Sequence, residues 1–333
     1  MNRRVTLASR PVGFPEESDF ALEEGEVPSA GPGEVLARTH WVSVDPYQRS
    51  RMSTARSYAK GLEPGDVVTA QAVGEVVESN DARYEPGDLV VGQLGWQDYA
   101  VARGGALRKL PSGLEPQLAL HVLGATGLTA YFGLLDVAKP VPGDTVVVSG
   151  AGGAVGSVVG QIARIMGCRT VGIAGGADKV EDLRELYRFD EAIDYKTADV
   201  RAALKEACPD GVDVYFDNVG GELSAAVHAR LNVGARIAIC GQVSQYNLER
   251  PEATFHPGLL IVYRARMQGF LVSDYAARFG EAIPRLVRWV MNGDIRYREH
   301  VTEGLENTPR AFIGMLNGEN RCKALVKVLP RNE

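Results

Sequence analysis

Cysteine is scarce in this 333-residue chain: Cys168, Cys208, Cys240 and Cys322 lie far apart, with no CxxC pair and no short Cys/His cluster. The five histidines, His40, His121, His228, His256 and His300, show no metal spacing either, so no metal site is expected. Cys168 and Cys240 sit in apolar or strand-like contexts and read as buried small hydrophobes rather than reactive thiols. No run of about 18 apolar residues exists that would span a membrane. The opening stretch MNRRVTLASRPVGFPEESDF lacks the apolar core and small-residue cleavage site of a signal peptide, which leads us to expect a cytoplasmic protein. A net charge of −6 gives no reason to expect nucleic acid or anionic lipid as a partner.

The length supports two cores. From Gly33 to Leu110, β-rich runs such as EVLARTHWVSV, DVVTAQAVGEVVES and DLVVGQLGWQDYAVA alternate with PGD turns, the pattern of antiparallel strands. From Asp144 the rhythm changes. TVVVSG, RTVGIAG, EAIDY, VDVYFDN, ARIAICG and MQGFLVS alternate with helical segments, which predicts an α/β fold with a doubly wound parallel sheet. A helix over residues 275–291 is expected next. KALVKVLP then returns to strand character and is expected to rejoin the first domain, making that domain discontinuous. The predicted division is 1–122 with 293–333, and 123–292.

The glycine cluster in VVVSGAGGAVGSVVGQIARIMG follows the first strand of that sheet and opens a helix. Glycines there let the backbone approach a pyrophosphate, and the helix N-terminus favours its negative charge. The pattern is Ala151-x-Gly153-x-x-Gly156, with alanine replacing the usual first glycine. About 20 residues on, an acidic residue would bind a ribose 2′-hydroxyl. Ala174, Gly175 and Gly176 occupy that place instead, and Lys179 follows in the next helix. A 2′-phosphate is therefore favoured, and NADP(H) over NAD(H). Asp178 beside the lysine reads either as a helix-start residue or as a charge that weakens the phosphate site.

The blocks SVDPYQR, GLTAYFGLL, AGGAVGSVVGQIA, DNVGG, CGQVSQYN and ENTPRAFIGMLNGEN, in this order, make the chain similar to the zinc-independent medium-chain dehydrogenase/reductases. Within them it resembles the leukotriene/prostaglandin, curcumin and plant double-bond reductases. The resemblance implies a Rossmann domain plus a β-rich, GroES-like catalytic domain built from both chain ends. It implies NADPH-dependent reduction of the C=C bond of α,β-unsaturated ketones and aldehydes, and a homodimer joined through the Rossmann sheet. By resemblance, Lys179 and Tyr195 grip the 2′-phosphate, Asn320 makes a second cofactor contact, and Thr129 lies near the nicotinamide carboxamide. The other expected cofactor contacts are Ala151, Gly152, Gly153, Ala154, Val155 and Gly156 of the loop, Asn218, Cys240, Gly241, Phe270 and Val272. Tyr246 matches the active-site tyrosine, and Tyr47 a second tyrosine lining the substrate pocket. Ala125 stands where relatives often carry methionine, and Gln242 where they carry a smaller residue.

Zinc-dependent relatives would place their ligands where this chain has SVDPYQRSRM and TAQAVGEVV, so Lewis-acid alcohol dehydrogenation is not expected. Hydride delivery to the β-carbon of an enone drives charge onto the carbonyl oxygen, and a positioned hydroxyl stabilises that enolate. Tyr246 is the candidate, with the cofactor ribose hydroxyl sharing the role. Asp45 is expected to order the turn before Tyr47. Asp217 and Asn218 either line the cofactor or cap the next helix. Two rival readings remain at this point: an NADPH quinone oxidoreductase, and a catalytically silent NADPH-binding protein.

Overall fold

The computed structural model describes residues 1–111, 113–250, 252 and 254–328. The strands, in chain order, are β1 (Asn2–Leu7), β2 (Phe20–Gly25), β3 (Glu34–Ser43), β4 (Gln71–Ser79), β5 (Leu89–Gln93), β6 (Tyr99–Arg103), β7 (Arg108–Lys109), β8 (Thr145–Ser149), β9 (Arg169–Ala174), β10 (Glu191–Asp194), β11 (Val212–Asp217), β12 (Leu231–Ile239), β13 (Arg266–Gly269), β14 (Glu299–Glu303) and β15 (Lys323–Lys327). They divide between two compact units, one formed by Met1–His121 with the segment from Glu299 onward, the other by Val122–Arg298.

In the first unit β3 is the hub: it pairs antiparallel with β4, β6 and β15, and β14 lies parallel to β15. The last two residues of the predicted strand KALVKVLP lie outside the described residues. The core is centred on Trp96, which is fully buried against Phe20 and Phe312 with ring centroids 5.7 and 5.8 Å away. Aromatic contacts at this spacing add to area burial, and truncating Trp96 to alanine would cost roughly 3–5 kcal/mol.

The second unit is a six-stranded parallel sheet in the order β10-β9-β8-β11-β12-β13. Every residue of β8, TVVVS, is buried, as a central strand covered by helices on both faces requires. The chain order reverses between β8 and β11, and ligands of doubly wound sheets bind beyond the carboxyl ends of the strands at such a point. The helix Gly156–Ile165 follows β8 directly.

Three boundaries differ from expectation. The unit returns at Arg298/Glu299 rather than 292/293, because residues 295–298 are tied to the sheet domain. Gln161 donates to the Arg296 carbonyl (2.9 Å) and accepts from its N–H (2.7 Å), and Arg298 pairs with Asp182 at 3.2 Å. The helix expected from 275 begins at Phe279, after a 3₁₀ segment Val272–Arg278; the Arg278 guanidinium holds both Asp136 and Glu281 at the junction. Strand β13 ends at Gly269, so Phe270 and Val272 lie beyond it. Among the described residues no helix is long and apolar enough to cross a membrane.

Glu299 begins β14 directly across from Lys323 on β15. Burial, and secondly repulsion by Glu115, push its carboxyl up to about 7, against a smaller opposing pull from Lys323. Its Oε1 has no hydrogen-bond partner among the described residues. The folded state thus holds this proton more tightly than the unfolded chain does. The group's favourable contribution is complete below its ordinary range near 4.5 and is lost as pH rises through 7. Glu299→Gln is expected to raise thermal stability at pH 8, on the order of 1–2 kcal/mol once partial exposure is discounted, and to change little at pH 4. Thermal melts of both proteins across that range check this.

Candidate functional site

The loop after β8 is tight and stitched to its neighbour. Gly150 has φ +60°, Gly153 N–H donates to the Gly150 carbonyl (3.0 Å), and Ala151 N–H donates to the Ile173 carbonyl of β9 (3.0 Å). A Cβ on Gly156 would lie 2.4 Å from the Gly150 oxygen and 2.7 Å from the Ala151 Cα, so this position requires glycine. Alanine at 151 is accommodated because its fully buried methyl faces Gly172 of β9, where a Cβ would approach to 3.0 Å. The helix N-terminus at Gly156 carries no side-chain cap. Ala151 through Gly156 thus form a backbone cradle with the free dipole end that a pyrophosphate requires.

The second part of the cradle lies at the end of β9. A Cβ on Gly152 would meet the Lys179 Cβ at 3.1 Å and Cδ at 3.3 Å, which places the lysine stem along the glycine loop. A Cβ on Gly175 would meet the Tyr195 ring at 2.7–2.9 Å, so the missing side chain is the space this half-exposed tyrosine uses. Asp194 is the carboxylate of the DYKT turn, and it is committed to backbone: it accepts from Gly176 N–H (2.9 Å) and Lys196 N–H (3.0 Å). The Gly176 bond is the main reason its pKa falls below the ordinary range. Gly176 at φ +100° is the cap residue of the helix Ala177–Glu181. Asp178 lies exposed in the first turn of that helix, a helix-start position although Gly176 is the cap. Lysine, tyrosine and a carboxylate turned toward backbone suit a 2′-phosphate better than a ribose hydroxyl.

Between β11 and the helix Gly221–His228, Asp217 is buried and accepts five hydrogen bonds. They come from Ser149 Oγ (3.0 Å), Tyr215 Oη (2.9 Å), Ser224 Oγ (2.6 Å) and the N–H groups of Val219 (2.9 Å) and Gly220 (3.0 Å). Its backbone carbonyl accepts from Cys240 N–H (2.8 Å) and Gly241 N–H (3.1 Å). Asn218 is locked to Ser149 twice, through its N–H to Oγ (3.0 Å) and its side-chain amide to the carbonyl (2.8 Å). Asp217 is accordingly an organiser of the turn. Tyr246, half-buried, folds back over the end of β12: its Oη accepts from Gln242 N–H at 3.4 Å, and a Cβ on Gly241 would lie 3.2 Å from it. Burial raises the Cys240 thiol to about 12.

The remaining candidates are distributed as follows. Thr129 Oγ donates to the Ala125 carbonyl (2.7 Å) within the helix Ala125–Phe132. The Phe270 ring fills the space over Gly133, where a Cβ would come within 2.2 Å of it, and meets Phe216 edge-on at 6.2 Å. Val272 opens the 3₁₀ segment. Tyr47 and Asn320 belong to the other unit. Tyr47 starts the short helix Tyr47–Arg51; burial, then Asp45, push its phenol well above the ordinary value, so it stays protonated. Gln93 is the nearby polar side chain, but Tyr47 Oη makes no hydrogen bond of ordinary geometry among the described residues. Asn320 donates to the Cys322 carbonyl and lines a cavity of about 400 Å³ beside the helix Thr308–Leu316. Among the described residues no group of three or more His, Cys, Asp or Glu is placed to hold a metal.

Sequence reasoning missed Ser149, Gly172 and Ser224. Ser149 had a readable signal, a hydroxyl closing an apolar strand just before a glycine loop; the other two reach the site only through tertiary contacts. Asp217→Asn leaves one accepting oxygen and an NH2 group where three hydroxyls and two backbone N–H groups need acceptors. A loss of roughly 2–4 kcal/mol in denaturant unfolding is expected, and Ser224→Ala should cost only about 1 kcal/mol.

Comparison with known proteins agrees with this geometry. Residues 3–110 match the model of the N-terminal domain of oxidoreductases, and residues 154–288 that of the zinc-binding dehydrogenases. The chain is 45% identical to the NADPH-dependent curcumin reductase of Escherichia coli, covering 98% of this chain and 97% of that protein. It is 45% identical to rat prostaglandin reductase 1, covering 97% and 98%. The crystal structure of CurA from Vibrio vulnificus in complex with NADPH superposes with a TM-score of 0.95 at 44% identity, covering 99% of this chain and 100% of that one. The chain belongs to the zinc-independent medium-chain dehydrogenase/reductases, in the branch of the curcumin, prostaglandin and alkenal reductases.

Proposed function

We propose that the protein uses NADPH to reduce the C=C bond of α,β-unsaturated ketones and aldehydes, with Tyr246 stabilising the enolate. The observation that carries this reading is the Tyr246 hydroxyl, folded over Gly241 at the carboxyl end of the same parallel sheet whose first loop forms the dinucleotide cradle. The family places it among the NADP-dependent oxidoreductases. Bound NADPH would supply the hydride. Ala151, Gly152, Gly153, Ala154, Val155 and Gly156 would hold its pyrophosphate, and Lys179 with Tyr195 its 2′-phosphate. Asn218, Cys240, Gly241, Phe270, Val272 and Thr129 would line its nicotinamide half, and Asn320 is the remaining proposed cofactor contact.

Hydride delivered to the β-carbon would leave negative charge on the carbonyl oxygen as an enolate, which would then take a proton at the α-carbon from water or Tyr246 to give the saturated carbonyl compound. A phenol O–H held by its own backbone turn is a preorganised donor to that oxygen and needs little reorganisation. Tyr47, kept protonated by burial, would line the substrate pocket. The cysteines suit this chemistry as well. Enones alkylate thiolates, and burial raises Cys168 and Cys208 to about 11 and Cys240 to about 12, which keeps all three as unreactive thiols at neutral pH. A homodimer would form by extension of the parallel sheet at β13, an edge strand that among the described residues pairs only with β12; Ile261 and Val262 stand 80% and 60% exposed just before it.

Loss of reduced-nicotinamide absorbance, with saturated ketone as product, tests the activity. Tyr246→Phe should lower kcat on the order of 10²-fold without altering NADPH affinity. Turnover of quinones alone, indifferent to Tyr246→Phe, would assign the protein to the quinone reductases instead. NADPH binding without turnover of any enone or quinone would leave a silent nucleotide-binding protein. Lys179→Ala should weaken NADPH binding by roughly tenfold or more while leaving NADH binding nearly unchanged, as titrated by cofactor fluorescence.

A further inference from the structure

Lys323 is 1% exposed, among the most deeply buried side chains of the first unit. A buried ammonium is costly unless it is paired and hydrogen-bonded. Two carboxylates lie near it. Glu299 stands directly across the β14/β15 ladder, close enough to feel its charge, yet Lys323 makes its bonds elsewhere. Nζ donates to the Val44 carbonyl at 3.1 Å and to Asp45 Oδ1 at 2.5 Å.

Asp45 is the centre of the turn that starts the Tyr47 helix. Its Oδ2 accepts from Ser43 Oγ, and its N–H donates to Gln48 Oε1 at 2.9 Å. Gln48 in turn donates to the carbonyls of Thr69 (2.9 Å) and Ser43 (3.3 Å). The backbone repeats the connection, since Val44 N–H donates to the Ala324 carbonyl at 3.2 Å and Leu325 pairs with Ser43. A residue near the C-terminus therefore fixes, through one carboxylate, the dipeptide that precedes Tyr47. The Tyr47 hydroxyl is buried without an ordinary hydrogen bond of its own among the described residues, with Gln93 as the nearby polar side chain, so the turn that Asp45 organises is one determinant of where it stands.

We propose that Lys323 is a positioning residue for Tyr47, acting through Asp45, and so helps to set how the enone is bound rather than how the cofactor is bound. Its consequence for enone binding rests on the reading of Tyr47 as a pocket residue. The mechanical claim does not, and the two fail separately in the following experiment.

The full-length protein is labelled with 3-fluorotyrosine, and the Tyr47 resonance is assigned by its loss in Tyr47→Phe. Lys323→Met, Asp45→Asn and the double variant are then compared by ¹⁹F NMR, by NADPH titration and by steady-state kinetics with an enone. Lys323→Met is expected to shift or broaden the Tyr47 resonance. It should raise the enone KM by roughly tenfold, with the NADPH dissociation constant unchanged. The double variant should be no worse than the single one, because the carboxylate left unpaired is also gone. If Lys323→Met does not fold, Asp45→Asn decides: it is expected to shift or broaden the Tyr47 resonance. A Tyr47 resonance unmoved in every folded variant overturns the proposal. A resonance that moves while the enone KM stays constant, or while the unaltered enzyme turns over no enone, upholds the positioning role and refutes the substrate reading of Tyr47.

Discussion

The carboxylate of Asp217 is the constraint on which the nucleotide end of the sheet depends. One buried side chain gathers hydroxyls from β8, from β11 and from the helix that follows, and it receives two backbone N–H groups of its own turn. Its main-chain carbonyl then holds the start of the Cys240–Tyr246 turn. An apolar residue here would leave several buried donors unsatisfied, each at a cost of about 1–3 kcal/mol. Ser149 donates to this carboxylate and in turn holds Asn218, while Gly241, with the Tyr246 hydroxyl over it, is held by the Asp217 main-chain carbonyl.

Close backbone approach is the second device, and it explains why small residues cluster in this unit. Gly156 lets the chain turn tightly enough to present a helix end, Gly172 makes room for the Ala151 methyl, and Gly175 makes room for the Tyr195 ring. Each missing side chain is matched by a neighbour that uses the space. Charge is handled in the same economical way: the acidic group beside the 2′-phosphate candidates, Asp194, accepts from the backbone N–H groups of Gly176 and Lys196.

Much of this was legible from local pattern. The β-α alternation after Asp144 and the all-apolar TVVVS strand announced a parallel sheet, because a strand buried on both faces has no polar alternation to show. The glycine spacing and the missing acidic residue after β9 announced a dinucleotide with a 2′-phosphate, because both depend on backbone geometry within a few residues. The roles of Ser224, Gly172 and Lys323 were not legible. Each acts on a partner that sequence distance hides, as with Lys323 and Asp45, which are 278 positions apart. The helix expected from 275 starts at Phe279 for a similar reason, since Arg278 is held by Asp136 from another element. Tyr246 and Tyr47 were legible as residues of interest only through resemblance; nothing local distinguishes a tyrosine that donates to substrate from one that packs in a loop.

The proposed reaction sends hydride to the β-carbon of an enone. The most direct measurement is to incubate the protein with an enone and NADPH carrying deuterium in the transferable position at nicotinamide C4, and to locate the label in the product by NMR. A saturated ketone with deuterium on the carbon β to the carbonyl is expected. Deuterium on the carbonyl carbon of an allylic alcohol would contradict it.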